Sequence, residues 1–208
     1  MVPAVPDETP ALVDRLREAA TYVSQFDLHA EKFEAAGLAP SEIDSIADFR
    51  RLPTMDAAEL ASDFVDNPPR GTLVADDRSI VRCNFTPSAH MSSMPVLWTE
   101  ADVEIVTEET LTCFRDVWIT AEDTVLNTGG LSEAPFGWAV ADAVEELGAT
   151  HIPAGPGDTE RKVEIIQEQD VTAVIGFPSF LEKVANESDE PLDQVEVVVG
   201  SGEPFTAI

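Results

Sequence analysis

Apolar residues recur at helical spacing through the first third of the chain and in short unbroken runs beyond it, so the pattern changes near residue 79. Thr9-Pro10 sets a hydroxyl cap ahead of a first-turn proline, and Leu12, Leu16, Ala19, Ala20 and Val23 then define one helix face. Phe26, Ala30 and Phe33 continue a second helix, stopped by Gly37 and Pro40. Ser41 is expected to cap a short helix whose apolar face is Ile43, Ile46 and Phe49, and Asp56 to Phe64 reads as another. Asn67-Pro68-Pro69-Arg70-Gly71 is a linker, which divides the chain into a helical segment, 1–70, and an α/β segment, 71–208.

From Ser79 onward strands and helices alternate. A strand at Ser79–Phe85 and a short one at Val96–Trp98 precede a long helix capped by Thr99, with Asp102 at the capping-box offset. Strands then follow at Thr124–Asn127, Thr150–Pro153, Thr172–Gly176 and Val195–Val199. Between them lie helices at Trp138–Leu147, from Asp158 or Thr159 to Gln169, and from Pro178 to Asn186. Short apolar strands separated by helices imply parallel βαβ units, and in such sheets ligands collect at the carboxyl ends of the strands. Those ends carry Gly129-Gly130, Gly155–Gly157, Gly176 and Gly200–Gly202. Each is a simple turn by itself; four along one rim make a binding edge.

Between the first two strands lies a stretch of small hydroxyl residues, Thr86, Ser88, Ser92 and Ser93, around His90. Placed at the rim of the sheet, such a loop would offer backbone N–H groups and hydroxyls to an anion, phosphate above all. It holds no Gly and no Lys, so it matches no Walker-type pattern, and a solvent-facing turn remains the other reading.

Charge changes the picture more than composition does. The chain has 208 residues, with 40 acidic side chains against 12 basic ones, a formal charge of −28. The acids run through every segment rather than forming a tail, which points to a folded, strongly self-repelling protein. Salt screens that repulsion, so the expected setting is the cytoplasm of a salt-accumulating organism. The same field disfavours nucleic acid and anionic membranes as partners. Cys83 and Cys113 have no CxxC spacing and are expected as reduced, buried thiols. His29, His90 and His151 are isolated in sequence, so no metal site is expected among them.

The order of these pieces resembles the phenylacetate–CoA ligase branch of the adenylate-forming enzymes across nearly the whole chain. FEAAGLAPSEIDSIADFRRLPTMDAAEL (Phe33–Leu60) is similar to that family's N-terminal segment. The most specific match is GATHIPAGPGDTERKVEIIQEQDVTAVIGFPSFLEKVA (Gly148–Ala185), with its Gly–Asp–Thr–Glu–Arg turn and Phe–Pro–Ser strand end. The resemblance implies an α/β fold: a helical N-terminal segment, then the parallel βαβ units of an adenylate-forming-enzyme N-terminal domain, incomplete at its C-terminal end. It implies ATP-dependent activation of an aryl or acyl carboxylate to an acyl-adenylate, then transfer to coenzyme A, with Mg as cofactor. The alternative is a degenerate, non-catalytic adenylation-fold protein that binds a nucleotide or a partner.

By the same resemblance Gly202, Glu203 and Pro204 fall at the adenine turn, and Gly129, Gly130, Phe136, Gly137, Phe177 and Pro178 at the acyl pocket. The family's phosphate loop, Ser-Ser-Gly-Thr-Thr-Gly-Lys-Pro, corresponds to Thr86–Pro95. There Thr86, Ser88, Ser92 and Ser93 keep hydroxyls, and His90 is the one residue able to stand in for the lysine charge. The family's later tyrosine motif, ribose-binding aspartate and lysine-bearing lid have no counterpart in the 208 residues. The small-molecule carboxylic acid itself is not specified, and homodimerisation is left open.

Overall fold

The structure, a computed structural model, describes residues 9–73 and 79–204. They fall into two units, one of residues 9–73 with 87–94, the other of residues 79–86 with 95–204.

The first unit is helical. Helix α1 (Pro10–Val23) begins as the pattern predicts: the Thr9 hydroxyl accepts from the Leu12 N–H at 3.2 Å. Helix α2 (Asp27–Ala36) ends on Gly37, whose φ of 55° closes the helix in the left-handed conformation open to glycine. The Ser41 assignment is corrected: Pro40–Glu42 is a single 3₁₀ turn, and helix α3 (Ile46–Phe49) is capped by Ser45, whose hydroxyl accepts from the Asp48 N–H. The Asp48 carboxylate in turn accepts the Ser45 hydroxyl, a reciprocal pairing that Ser41 lacks. Helix α4 (Ala57–Asp66) opens on a capping box formed by Asp56 and Glu59. Ala20, Phe33, Leu38 and Ile43 make this unit's core.

The second unit contains two sheets. Strands β1 (Ile80–Thr86) and β2 (Met94–Thr99) pair only with each other, apart from the four-stranded sheet. The hydroxyl-rich loop therefore does not join two strands of the parallel sheet, as the sequence suggested. Helix α5 (Glu100–Asp116) follows on the expected Thr99–Asp102 capping box. Strands β3 (Thr124–Asn127), β4 (Thr150–Pro153), β5 (Ala173–Gly176) and β6 (Val197–Gly200) form the main sheet in the order β4-β3-β5-β6, all parallel. Helices α6 (Pro135–Leu147), α7 (Thr159–Glu168) and α8 (Pro178–Glu187) make the crossovers. Helix α6 starts three residues before the expected Trp138, because Pro135 is suited to the first helical position.

Neighbouring residues of a strand face opposite sides, so the sheet has two cores. Val125, Ala173 and Ile175 pack with Leu111 and Phe114 of α5 and Val140 and Val144 of α6. Leu126 and Val174 pack on the other face with Val163 and Ile166 of α7 and Leu181 and Val184 of α8. Both cysteines correct the expectation of buried thiols, for both are exposed. Cys83 shares the exposed side of β1 with Val81, and Cys113 lies on α5 between the inward-facing Leu111 and Phe114.

Candidate functional site

Strand order locates the site. From β3 the chain crosses through α6 to β4 on one side; from β5 it crosses through α8 to β6 on the other. Helices α6 and α8 pack on opposite faces. The loops leaving β3 and β5 therefore diverge, which sets a topological switch point at the carboxyl ends of these two strands, where ligands bind in open α/β sheets.

That switch point is built from buried polar groups. Asn127 and Thr128, which end β3, are 0% and 1% exposed. The Thr128 N–H and hydroxyl both donate to the Ile175 carbonyl of β5, each at 2.9 Å. Asn127 Oδ1 accepts from the Gly129 N–H at 2.9 Å, and its amide nitrogen donates to the Gly137 carbonyl at 3.0 Å. The same nitrogen lies 3.3 Å from His151 Nε2, while His151 Nδ1 lies 3.1 Å from a Glu145 carboxylate oxygen. An amide that donates to Nε2 leaves the ring proton on Nδ1, facing Glu145. Asn127 thus clamps the loop after β3 to the first turn of α6. Glycine is required at position 137, since a Cβ there would fall on the Gly130 carbonyl.

The expected pocket residues come together here. Gly129 lies against Gly137 and Phe136. The Phe136 ring lies 5.3 Å from that of Phe177, centroid to centroid and tilted by 40°. Phe177 caps α8 and is 37% exposed, an aromatic face left at the rim; Pro178 opens the helix. The loop after β6 meets the same ring. Gly202 has a φ of 81°, and a Cβ on it would approach Phe177 Cε1 to 2.6 Å. The Ser201 N–H donates to the Gly176 carbonyl at 3.0 Å. Glu203 accepts from the Ser179 N–H at 3.0 Å, which makes its carboxylate the N-terminal cap that Phe177 has no side-chain oxygen to supply. Hydrogen bonds from Ser179, side chain first and then backbone, hold the Glu203 carboxyl below its ordinary range. Pro204 adjoins this turn, on a 720 Å³ apolar groove with Pro178 and Val198.

The hydroxyl-rich loop belongs to the other unit from Pro87 to Met94, with Thr86 ending β1. Ser88 Oγ accepts from the His90 N–H at 3.1 Å, so one backbone donor is already used within the turn. His90 and Ser92 are exposed; Ser88, Ser93 and Thr86 are half-buried. Within that unit the carboxylate near His90 is Asp56. The Glu59 N–H chiefly holds the Asp56 carboxyl below the ordinary range, followed by the Ala58 N–H and the charges of His90 and Lys32.

Asn127 and Thr128 escaped the sequence reading. A polar pair after an apolar run looks like any strand end, and only the burial and the bonds separate this pair from turn formers. Among the described residues no group of three or more His, Cys, Asp or Glu is placed to hold a metal ion.

No family model matches the chain. It is 25% identical over 192 residues to the phenylacetate-coenzyme A ligase of Escherichia coli K12, covering 86% of this chain and 41% of that one. It is 26% identical over 214 residues to the phenylacetate-coenzyme A ligase of Aromatoleum evansii, covering 96% and 46%. The chain thus spans less than half the length of these relatives. A solved 2-hydroxyisobutyryl-CoA ligase, in complex with 2-HIB-AMP and CoA, superposes with a TM-score of 0.84 at 24% identity over 93% of this chain and 43% of that one. The fold is that of the N-terminal domain of adenylate-forming CoA ligases, and the chain resembles the phenylacetate–CoA ligase branch in sequence.

Proposed function

We propose that the chain is the N-terminal portion of an ATP-dependent, AMP-forming carboxylate–CoA ligase of the phenylacetate–CoA ligase type. The observation that carries this reading is the meeting of Phe136, Phe177 and the Gly202–Glu203 turn at the switch point of the sheet. In this reading the Phe136–Phe177 pair lines the aryl or acyl pocket with Gly129, Gly130, Gly137 and Pro178. Gly202, Glu203 and Pro204 border the adenine. Magnesium, when bound, would offset charge on the triphosphate. Thr86, Ser88, His90, Ser92 and Ser93 are the groups proposed to face phosphate. Coenzyme A is the proposed acyl acceptor, and a cytoplasm of high salt the proposed setting.

The chemistry asks the protein to hold two anions together and to balance charge on the α-phosphate. What this chain's own residues do is shape the crevice, hold its loops through Asn127 and Thr128, and present one aromatic face. The second reading, a non-catalytic adenylation-fold binder, is favoured by one feature: a phosphate loop without Gly or Lys, one of whose N–H groups is bonded internally.

Calorimetry with phenylacetyl- and 2-hydroxyisobutyryl-sulfamoyladenosine, stable mimics of the acyl-adenylate, tests the site. Binding that Phe177→Ala weakens at least tenfold supports the crevice; affinity indifferent to that change removes it from consideration. AMP release that depends on carboxylate and coenzyme A, measured on a protein carrying the full length of the relatives, separates the ligase from the binder.

A further inference from the structure

Away from the crevice, β1, β2, α5 and α6 enclose a small cavity. Two of its lining residues each carry a buried side-chain atom with no hydrogen-bond partner, Asn84 Oδ1 and Trp98 Nε1. Asn84 is only 3% exposed. Both residues line one cavity with Arg82 and Asp142 and with the apolar Val103, Val106, Pro135 and Ala139, and the space in it for the centre of a water-sized sphere is ≈ 10 Å³. That is about the 10–15 Å³ needed to hold a single water.

We propose that this cavity is a binding site for one ordered water, which joins the two-stranded sheet to the first turns of α6. The chemistry of the two atoms selects the ligand. Trp98 Nε1–H can only donate and the Asn84 carbonyl can only accept. An anion would satisfy the indole and repel the carbonyl; a metal cation would do the reverse. Water accepts from Trp98 and donates to Asn84 at once. Its second proton has a ready acceptor in Asp142. That carboxylate accepts Arg82 Nη1 at 2.6 Å and Nη2 at 3.2 Å and has lone pairs to spare. Three partners is the usual number for a buried water.

The site lies in a joint that is already polar. The Arg82 guanidinium sits 5.2 Å above the Trp138 ring, and Trp138 Nε1 donates to the Ser132 carbonyl at 2.7 Å. The Phe85 N–H donates to the Glu133 carbonyl at 2.7 Å. The water completes this seam, which fixes the loop between β3 and α6 from the side away from the crevice. The inference rests on the orphaned atoms and the cavity, not on the proposed ligase activity.

The test uses the 208-residue chain. Nuclear Overhauser spectroscopy at the Trp98 indole proton, assigned by its loss in Trp98→Phe, is expected to show a cross-peak to a long-lived water. A high-resolution crystal structure is expected to place that water within hydrogen-bond distance of both Trp98 Nε1 and Asn84 Oδ1. An indole proton with no water cross-peak, or a direct bond from Trp98 Nε1 to Asn84 Oδ1, overturns the proposal. The crystal structure needs no variant, so it decides the matter even where Trp98→Phe fails to fold, and neither measurement is affected if the chain binds no nucleotide.

Discussion

At the scale of single residues, burial and hydrogen-bond completeness decide what each polar group contributes. Asn127 uses its oxygen and both amide protons inside a fully buried site. Asn127→Ala strands the Gly129 N–H and the Gly137 carbonyl together, and a loss of about 3 kcal/mol is expected, read as a lower urea midpoint. Lys162 presents the opposite case. It is 5% exposed, and no hydrogen bond or ion pair reaches its ammonium from the described residues. The apolar stem then does the packing, and Lys162→Met is expected to hold or raise the melting temperature. Asp123 gives a pH signature. Burial pushes its carboxyl up, but hydrogen bonds from the Thr172 hydroxyl and from the Thr120 N–H and hydroxyl outweigh it and hold the group below its ordinary range. A depressed carboxyl contributes stability that is complete above the unfolded value, about 3.9, and is lost as pH falls through the lower folded value. Thr172→Val should therefore be less stable than the parent at neutral pH, with the gap narrowing below about pH 4. A gap that is constant down to acid unfolding would show that Thr172 does not act through Asp123.

At the scale of elements, helix starts were the most legible feature. Thr9, Asp56 and Thr99 all make the side-chain bond that their position next to an apolar run foretells. The strands of the main sheet were legible for a related reason: each is a short segment with Gly or Pro at its end or within two residues after it. Pairing was not. Ile80–Cys83 and Pro95–Trp98 look like any buried run, and nothing local says that they form a sheet of their own. The site divides in the same way. Glycine marked its loops, because a positive φ or a close approach demands glycine; the clamp at Asn127 stayed hidden because its partners, Gly137 and His151, are 10 and 24 residues distant. Glu203 shows how two readings can share a residue, since the carboxylate placed at the adenine turn by resemblance also caps α8. Gly137 offers the sharpest test at this scale. Added methyls in tight packing cost about 1–3 kcal/mol, and here the obstruction is the Gly130 backbone, which cannot rotate away. Gly137→Ala should lower the melting temperature and weaken acyl-adenylate mimics together. A variant as stable as the parent would show that the loop after β3 can move off α6 freely.

At the scale of the whole molecule, charge sets the conditions under which all of this holds. Twelve basic side chains cannot compensate 40 acidic ones, so even complete pairing would leave an excess of −28. Among the described residues the ion pairs are mostly exposed: Arg161 with Glu164 at 2.7 Å, Arg115 with Glu108 at 2.7 Å, Arg17 with Asp14 at 2.9 Å. Exposed pairs of this kind contribute about 0–1 kcal/mol each, too little to offset repulsion spread over the surface. Folding concentrates the charge, and only mobile ions can relieve it. The screening length is about 10 Å at 0.1 M salt and 3 Å at 1 M, so charges on neighbouring elements interact in dilute buffer and hardly at all in molar salt. The melting temperature should therefore climb steeply between dilute buffer and molar KCl. An isosmolar sugar, which is excluded from the surface but carries no charge, should reproduce little of that rise. Thermal melts followed by circular dichroism in the three media decide the matter. Equal cooperative melting in dilute buffer and in molar KCl would remove the charge argument, and with it the proposal that the protein works in a salt-rich cytoplasm.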